Sequence, residues 1–339
     1  MEKMLAAVFE EEGKLSLREV SLPEIQKDSD VLIEVEAAGV CGTDLKILEV
    51  PPGHPATTGV ILGHEYTGKI VDMGKKVQCF KVGDKVVVNP NISCDGCSWC
   101  RMGFPNLCEN LTTLGIFIDG GFARYSVVPA KSVYPVSLDV PSEEAAFAEP
   151  LSCVISALEK INFQVGESVV ILGAGPIGLL FTQLFRAAGA GEIIVSEISD
   201  YRVKFAEESG ATLAVNPQKD ELEKMVKERT KVGADVVVDA VGSLFKQALT
   251  LVRPGGKVLL FGQDYKAKDE ITQNDITRNE VTVVGSYIAR YTFPQTVRVI
   301  ESGNLALNKL ITHRLSLEAL PQGLEALKKG EAIKVIIKP

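Results

Sequence analysis

One stretch narrows the possible folds more than any other: SVVILGAGPIGLLFTQLF, residues Ser168–Phe185. A run of mostly branched apolar residues, Ser168–Leu172, ends at a glycine-rich turn. An apolar pattern with helical spacing, Leu179–Ala188, follows. A strand this apolar on both faces belongs inside a sheet covered on both sides, as in a parallel sheet with crossover helices. The downstream sequence repeats the alternation. Strands are expected at Glu192–Ser196, Val236–Asp239, Lys257–Phe261 and Val281–Val284. Helices are expected between them at Asp200–Ser209, Lys219–Thr230 and Leu244–Leu251.

The turn reads Gly173-Ala174-Gly175-Pro176-Ile177-Gly178, a G-x-G-x-x-G pattern between strand and helix. In that context Gly173 permits the tight turn, Gly175 lets backbone approach a pyrophosphate, and Gly178 allows close packing of helix on strand. The helix N-terminus offers free N–H groups and a positive dipole end to phosphates. The next strand ends at Glu197, 19 residues after Gly178. A carboxylate there accepts from both ribose hydroxyls and repels a 2′-phosphate, so NAD is favoured; Arg202 nearby leaves NADP open. Val241, just beyond the strand Val236–Asp239, completes the set of cofactor contacts with Pro176 and Ile177.

The first 150 residues have a different texture. Val31–Val40 alternates like a half-buried strand, and Lys69–Asp72, Lys85–Asn89 and Ala123–Val128 read similarly. Glycine and proline punctuate these short runs, which suggests a barrel or sandwich. A helix is expected at Ser152–Lys160, and the tail beyond Tyr287 holds two helices and a final strand, Lys334–Lys338.

Four of the seven cysteines, Cys94, Cys97, Cys100 and Cys108, fall within one loop at C-x2-C-x2-C-x7-C spacing. A local cluster in a long chain points to a metal rather than to a disulfide framework. Four thiolates enclose Zn²⁺ in a closed tetrahedral shell, which makes such a site structural. Four cysteines also suit an iron–sulfur cluster, although nothing else in the chain hints at an electron-transfer partner. A second set of ligand types is dispersed: Cys41 in GVCGTD, His64 and Glu65 in GHE, and Glu149 in EPLSC. Cysteine, histidine and carboxylate all suit zinc, and a catalytic zinc takes three protein ligands and keeps one position open.

The chain of 339 residues has a formal net charge of -8 and 46% hydrophobic residues. An acidic chain without a basic run is a poor binder of DNA or RNA. Its greasiest stretch, Val169 to Val195, is interrupted by Gln183, Arg186 and several glycines, which argues against a membrane span. No signal peptide is read at the N-terminus, so a cytoplasmic protein is expected.

Taken together, GVCGTD, GHE, the four-cysteine loop, EPLSC and GAGPIG resemble, in order and spacing, the zinc-containing medium-chain dehydrogenases. The resemblance spans essentially the whole chain. It looks most like the sorbitol, arabinitol and galactitol-phosphate dehydrogenase group, with threonine and butanediol dehydrogenases close by. It implies an α/β protein with a GroES-like catalytic domain from residues 1–150 and 288–339, carrying a zinc lobe at about 90–110. It implies a Rossmann NAD-binding domain, residues 151–287, inserted between them, with the active site in the cleft. Carried over residue by residue, Cys41, His64 and Glu65 match the catalytic zinc ligands. Glu149 matches a nearby carboxylate that binds the metal directly or through water. Relatives are usually dimers or tetramers, and two Zn²⁺ per chain are implied.

The expected reaction is hydride transfer between a secondary alcohol, of the sugar-alcohol type, and NAD. Zinc lowers the pKa of the alcohol, and the cofactor carries the redox chemistry. Thr43, Glu65 and Lys46 are the candidate catalytic residues. Thr43 is the first acceptor of the hydroxyl proton. Lys46 stands where many polyol dehydrogenases have a histidine, so the end of the proton path departs from the pattern. Cys41 thiolate and Glu65 already neutralise Zn²⁺, so Glu149 is expected to leave the metal, or to stay outside its ligand set, when substrate binds. A threonine or butanediol dehydrogenase is the alternative within the family. A non-enzymatic zinc-stabilised NAD-binding protein is the alternative outside it.

Overall fold

An antiparallel hairpin, β1 (Lys3–Glu11) and β2 (Lys14–Ser21), begins the fold and turns at Gly13, whose φ is +73°. The sequence expectations did not include it. β1 buries four consecutive residues, Ala6 to Phe9, and β2 has no fully buried residue, so neither alternates as a half-buried strand should. The computed structural model describes residues 2–339. Next come β3 (Asp30–Gly39), α1 (Gly42–Ile47), β4 (Glu65–Met73) and β5 (Lys85–Val88). A cysteine-rich lobe follows with β6 (Asn91–Ile92), α2 (Ser98–Arg101) and β7 (Thr112–Thr113). β8 (Tyr125–Pro129), β9 (Val133–Pro135), α3 (Ser142–Ala145) and α4 (Ala148–Lys160) complete the first half.

The chain then alternates strand and helix: β10 (Ser168–Leu172), α5 (Pro176–Ala187), β11 (Glu192–Ser196), α6 (Asp200–Glu208) and β12 (Leu213–Val215). It continues through α7 (Leu222–Thr230), β13 (Ala234–Asp239), α8 (Phe245–Leu251), β14 (Val252–Leu260), α9 (Gln273–Thr277) and β15 (Thr282–Gly285). The tail supplies α10 (Phe293–Glu301), β16 (Ile311–Ser316), α11 (Leu320–Lys328) and β17 (Lys334–Lys338). Several elements differ from the expected positions. β4, α4 and β14 begin before the runs expected for them, the strand expected at Ala123–Val128 begins at Tyr125, α9 was not expected, and β16 lies in a stretch where only helices and one strand were expected.

Two units separate. The first runs to Ser152 and takes up again at Arg290–Gly303 and Leu307–Pro339; the second is Cys153–Ala289 with Asn304–Ala306. The first unit is built on a seven-stranded sheet in the order β16-β17-β3-β4-β5-β9, with β8 also paired to β3. Its core is one apolar cluster that includes Ile33, Leu62, Tyr66, Ile70 and Phe122 from the N-terminal part and Leu320, Val335 and Ile337 from the tail. The tail is therefore part of this unit's interior: β17 lies antiparallel to β3, with Ile336 opposite Gly39.

The second unit is a six-stranded sheet, all of whose pairs are parallel, in the order β12-β11-β10-β13-β14-β15. Counted from β10, that order is 3-2-1-4-5-6, the Rossmann arrangement, whose strand order reverses direction between β10 and β13. Val169–Leu172 and Val236–Val238 are wholly buried, as the apolar runs required.

Candidate active site and metal centres

Strand register assembles the first centre. β3 and β4 pair with Gly39 opposite Glu65, and two residues beyond Gly39 the chain reaches Cys41, which caps the N-terminus of α1. His64 immediately precedes β4. One sulfur, one nitrogen and one oxygen from Cys41, His64 and Glu65 thereby lie within 4.8 Å of one another. His64 and Glu65 are buried.

Asp44, fully buried in α1, organises two of these residues. Its Oδ2 accepts the Cys41 N–H at 2.9 Å, and its Oδ1 lies 3.5 Å from His64 Nδ1. Nδ1 is thus turned to a carboxylate, which leaves Nε2 as the ring's ligand atom, the usual outer support of a metal-bound histidine. Burial disfavours a charged His64, yet the Asp44 carboxylate and Cys41 thiolate push its pKa well above the ordinary histidine value. A pocket that draws a proton onto its histidine is electronegative enough for a cation, and its S, N and O donors suit zinc. Thr43 stands on the same turn, with its Oγ1 3.7 Å from Cys41 Sγ.

One functional group escaped sequence reasoning. Lys334, on β17, is 2% exposed; its ammonium pairs with Glu65 Oε2 and donates to the Val40 carbonyl at 3.2 Å. Nζ also lies 5.7 Å from the centroid of the Phe147 ring. Burial opposes its charge, but Glu65, Cys41 and Glu149 together raise its pKa. A lysine in a C-terminal strand reads as surface, because lysine is almost never fully buried unless paired. No sequence signal short of three-dimensional pairing marks it.

Glu149 is buried in the first turn of α4 but does not join the triad of ligand atoms. The charge count of Cys41 and Glu65 against Zn²⁺ leaves out Lys334, a buried cation whose charge Glu65, Cys41 and Glu149 favour. Lys46 is half-buried in the last turn of α1 and its carbonyl accepts the Gly53 N–H at 2.7 Å.

The second centre is the lobe. Cys94, Cys97, Cys100 and Cys108 bring their sulfurs within 4.8 Å of one another. Cys97 Sγ is 3.5 Å from Cys100 Sγ and 3.9 Å from Cys108 Sγ. Backbone N–H groups of Cys94 and Asn110 each reach Cys108 Sγ at 3.3 Å. The N–H groups of Gly96 and Cys97 bring the Cys94 thiol down to about 6, while burial pushes Cys100 up to about 12. Four convergent thiols with peptide donors are the donor set of a closed zinc site.

In the second unit the glycine turn has the shape expected for phosphates. Gly173 has φ +100°, where a side chain is strained, and an added Cβ would lie 2.8 Å from Val241 Cγ2. At Gly178 an added Cβ would lie 1.9 Å from the Gly173 carbonyl oxygen. At Gly175, by contrast, an added Cβ would meet no atom within 4 Å, so the N-terminus of α5 faces open space that a phosphate can fill. Pro176 and Ile177 form the first turn of α5. Glu197 is buried, and its two oxygens accept the Ala174 N–H at 2.8 Å and the Ser199 N–H at 2.9 Å. Arg202 lies in the first turn of α6 with its Nε buried and without a hydrogen-bond partner.

Comparison with known proteins matches two family models: an alcohol dehydrogenase GroES-like domain over residues 27–138 and a zinc-binding dehydrogenase over residues 176–302. D-arabinitol dehydrogenase 1 of Uromyces fabae is 32% identical, covering 99% of this chain and 97% of its own length. An L-threonine 3-dehydrogenase of Chromobacterium violaceum is 33% identical, covering 95% and 96%. A zinc-binding dehydrogenase of Sinorhizobium meliloti, solved bound to NADP, superimposes with a TM-score of 0.94 at 35% identity over the full length of both chains.

Proposed function

The chain belongs to the zinc-binding medium-chain alcohol dehydrogenases, and from that premise we propose that it oxidises a secondary alcohol of the polyol type with NAD, or runs the reverse reduction. The observation that carries the reading is the Cys41–His64–Glu65 triad, because a purely structural protein needs the four-cysteine lobe but not a second, three-ligand centre. When bound there, zinc supplies a Lewis acid that makes an alcohol hydroxyl acidic, and NAD supplies the hydride acceptor.

The chain's own residues do the rest. Cys41, His64 and Glu65 hold the catalytic zinc, and Cys94, Cys97, Cys100 and Cys108 hold a structural one, two per chain. Asp44 fixes the orientation of His64, and Lys334 fixes Glu65 through one oxygen, leaving the other for the metal. Glu149 stays beside the centre as the partner of Lys334's charge rather than as a permanent ligand. Thr43, beside the first ligand, accepts the proton of the substrate hydroxyl. Lys46 sits one helical turn further along the same helix, where its ammonium adds positive charge near the end of the proton path.

In the second unit, Gly173, Gly175 and Gly178 with the N-terminus of α5 take the pyrophosphate, and Val241 packs over the turn. Glu197 is held by two peptide N–H groups, and its negative charge favours NAD over NADP; Arg202, in the first turn of α6, is a nearby cation that favours a 2′-phosphate. We assign residues 1–150 and 288–339 to catalysis and 151–287 to the cofactor. The unpaired edge of β15, which ends the six-stranded sheet, supports assembly into a dimer or tetramer through strand addition. No helix among the described residues is long and apolar enough to cross a membrane. We place the enzyme in the cytoplasm.

The test is metal analysis combined with a substrate panel. Purified protein should hold two zinc ions and form NADH with pentitols or tetritols in a chelator-sensitive way. Preference for threonine or 2,3-butanediol would replace the polyol reading with its relatives' chemistry. A single zinc confined to the lobe would remove the enzymatic reading altogether.

A further inference from the structure

Of the three histidines, His64 belongs to the metal triad and His313 lies on β16 beside Thr312. His54 is on neither, and the loop that carries it is held at both ends. The Gly53 N–H bonds the Lys46 carbonyl at 2.7 Å, and the Thr57 N–H bonds the Ile116 carbonyl at 3.0 Å. These bonds tie the loop to the end of α1, the helix that begins at the metal ligand Cys41, and to the segment that contains Phe117. The His54 and Phe117 ring centroids are 6.5 Å apart.

The ring's chemistry is set by one contact. His54 Nδ1 lies 2.8 Å from the Pro55 carbonyl oxygen. A carbonyl only accepts, so Nδ1 carries the hydrogen and Nε2 presents a lone pair. Burial, with the charges of His64 and Lys46, holds its pKa below the ordinary histidine value, against the opposing pull of the Pro55 carbonyl and Asp44. The ring is therefore neutral at neutral pH and Nε2 stays an acceptor. Gly115, two residues before Phe117, packs on the backbone that carries His64: an added Cβ there would lie 2.3 Å from the Gly63 carbonyl oxygen and 2.8 Å from the His64 nitrogen, so the segment His54 lies against runs beside a metal ligand.

We propose that His54 is a specificity residue of the alcohol site: its Nε2 accepts a hydrogen bond from a second hydroxyl of a polyhydroxylated substrate. This rests on the polyol reading above and deepens it. A hydroxyl remote from the reacting carbon has a proton to donate, and a simple secondary alcohol lacks that group. Phe117 beside the ring supplies an apolar wall, the usual setting in which a few placed polar groups decide orientation. The acceptor also answers the departure at Lys46. An ammonium there only donates, so it cannot take a proton from a polyol hydroxyl.

The experiment compares kcat and KM for a pentitol and for cyclohexanol in the zinc-loaded enzyme, His54→Phe and His54→Asn. In His54→Phe the ratio of kcat/KM for pentitol over cyclohexanol should fall about tenfold, the effect of one net hydrogen bond, mainly through KM. His54→Asn, which restores an acceptor, should recover part of the ratio. Zinc content and melting temperature are measured for both variants. An unchanged ratio, or an equal loss on both substrates, overturns the proposal and makes the ring a packing residue. A wild-type enzyme that forms no NADH with any polyol overturns the polyol reading and this inference with it. A polyol-active wild type with an unaltered His54→Phe ratio overturns this inference alone.

Discussion

Replacing Lys334 with methionine keeps the length and most of the volume of the side chain but deletes its charge. In the zinc-free protein two acceptors lose their partner: the Glu65 carboxylate and the Val40 carbonyl. Lys334 and Glu65 are 2% and 1% exposed, so water cannot step in. Removing one member of a buried pair costs about 3–5 kcal/mol, because the other charge is left uncompensated. At about 2–4 °C per kcal/mol, the melting point of the first unit should fall by roughly 10 °C. With zinc bound the penalty should shrink, because a cation again faces Glu65. Calorimetry of wild type and Lys334→Met, each stripped of and loaded with zinc, reads both effects. Lys334→Arg should stay close to wild type. A drop of less than about 2 °C, or one of equal size with and without zinc, would refute the view that Lys334 serves as Glu65's counter-charge.

Four further outcomes are expected. Gly39→Ala would place a Cβ 2.4 Å from Glu65 Oε2 and 2.8 Å from Lys334 Cε, so it should cost about 1–3 kcal/mol and lower the zinc content towards one ion per chain, measurable by elemental analysis. Thr43→Val should slow alcohol oxidation by about 10²–10⁴-fold while both zinc ions stay bound; near-normal turnover would remove Thr43 from the proton path. In protein stripped of zinc, alkylation at pH 7.5 followed by mass spectrometry should find Cys94, held near 6, modified well before Cys100, pushed to about 12. Asp235 should make folding acid-sensitive: burial opposes its charge, but Ser168 and Arg253 hold its pKa below the ordinary 3.8. Its contribution is present above that value and lost as the pH falls through the depressed one, so urea midpoints of wild type and Asp235→Asn should converge towards acid.

The parts legible in sequence are those encoded locally. A turn of three glycines between a strand and a helix states its own geometry, and four cysteines within one loop state theirs. Continuous apolar strands announced the parallel sheet for the same reason, since every residue from Val169 to Leu172 is buried. The illegible parts depend on contacts distant along the chain. Lys334 lies 269 residues from Glu65 in sequence, and only the pairing of β17 with β3 makes them neighbours. The hairpin β1–β2 was hidden because its burial follows the sheet it covers and not a two-residue period. Glu149 illustrates the intermediate case. Its residue type pointed to the metal, but its part in the charge balance depends on a lysine that sequence alone places at the surface.

The position of β17 has a consequence for how the molecule is made. β3, which leads to Cys41, lies between β4 and β17, so on the ribosome the metal-binding unit lacks a wall until translation has passed Lys338. The strand-and-helix unit between has all six of its strands by Gly285 and can fold first. Through that interval the Cys41 centre lacks Lys334, the counter-charge of Glu65, whereas the lobe has all four of its thiols once Cys108 is made. Tail synthesis therefore completes the three-ligand centre after the four-cysteine one.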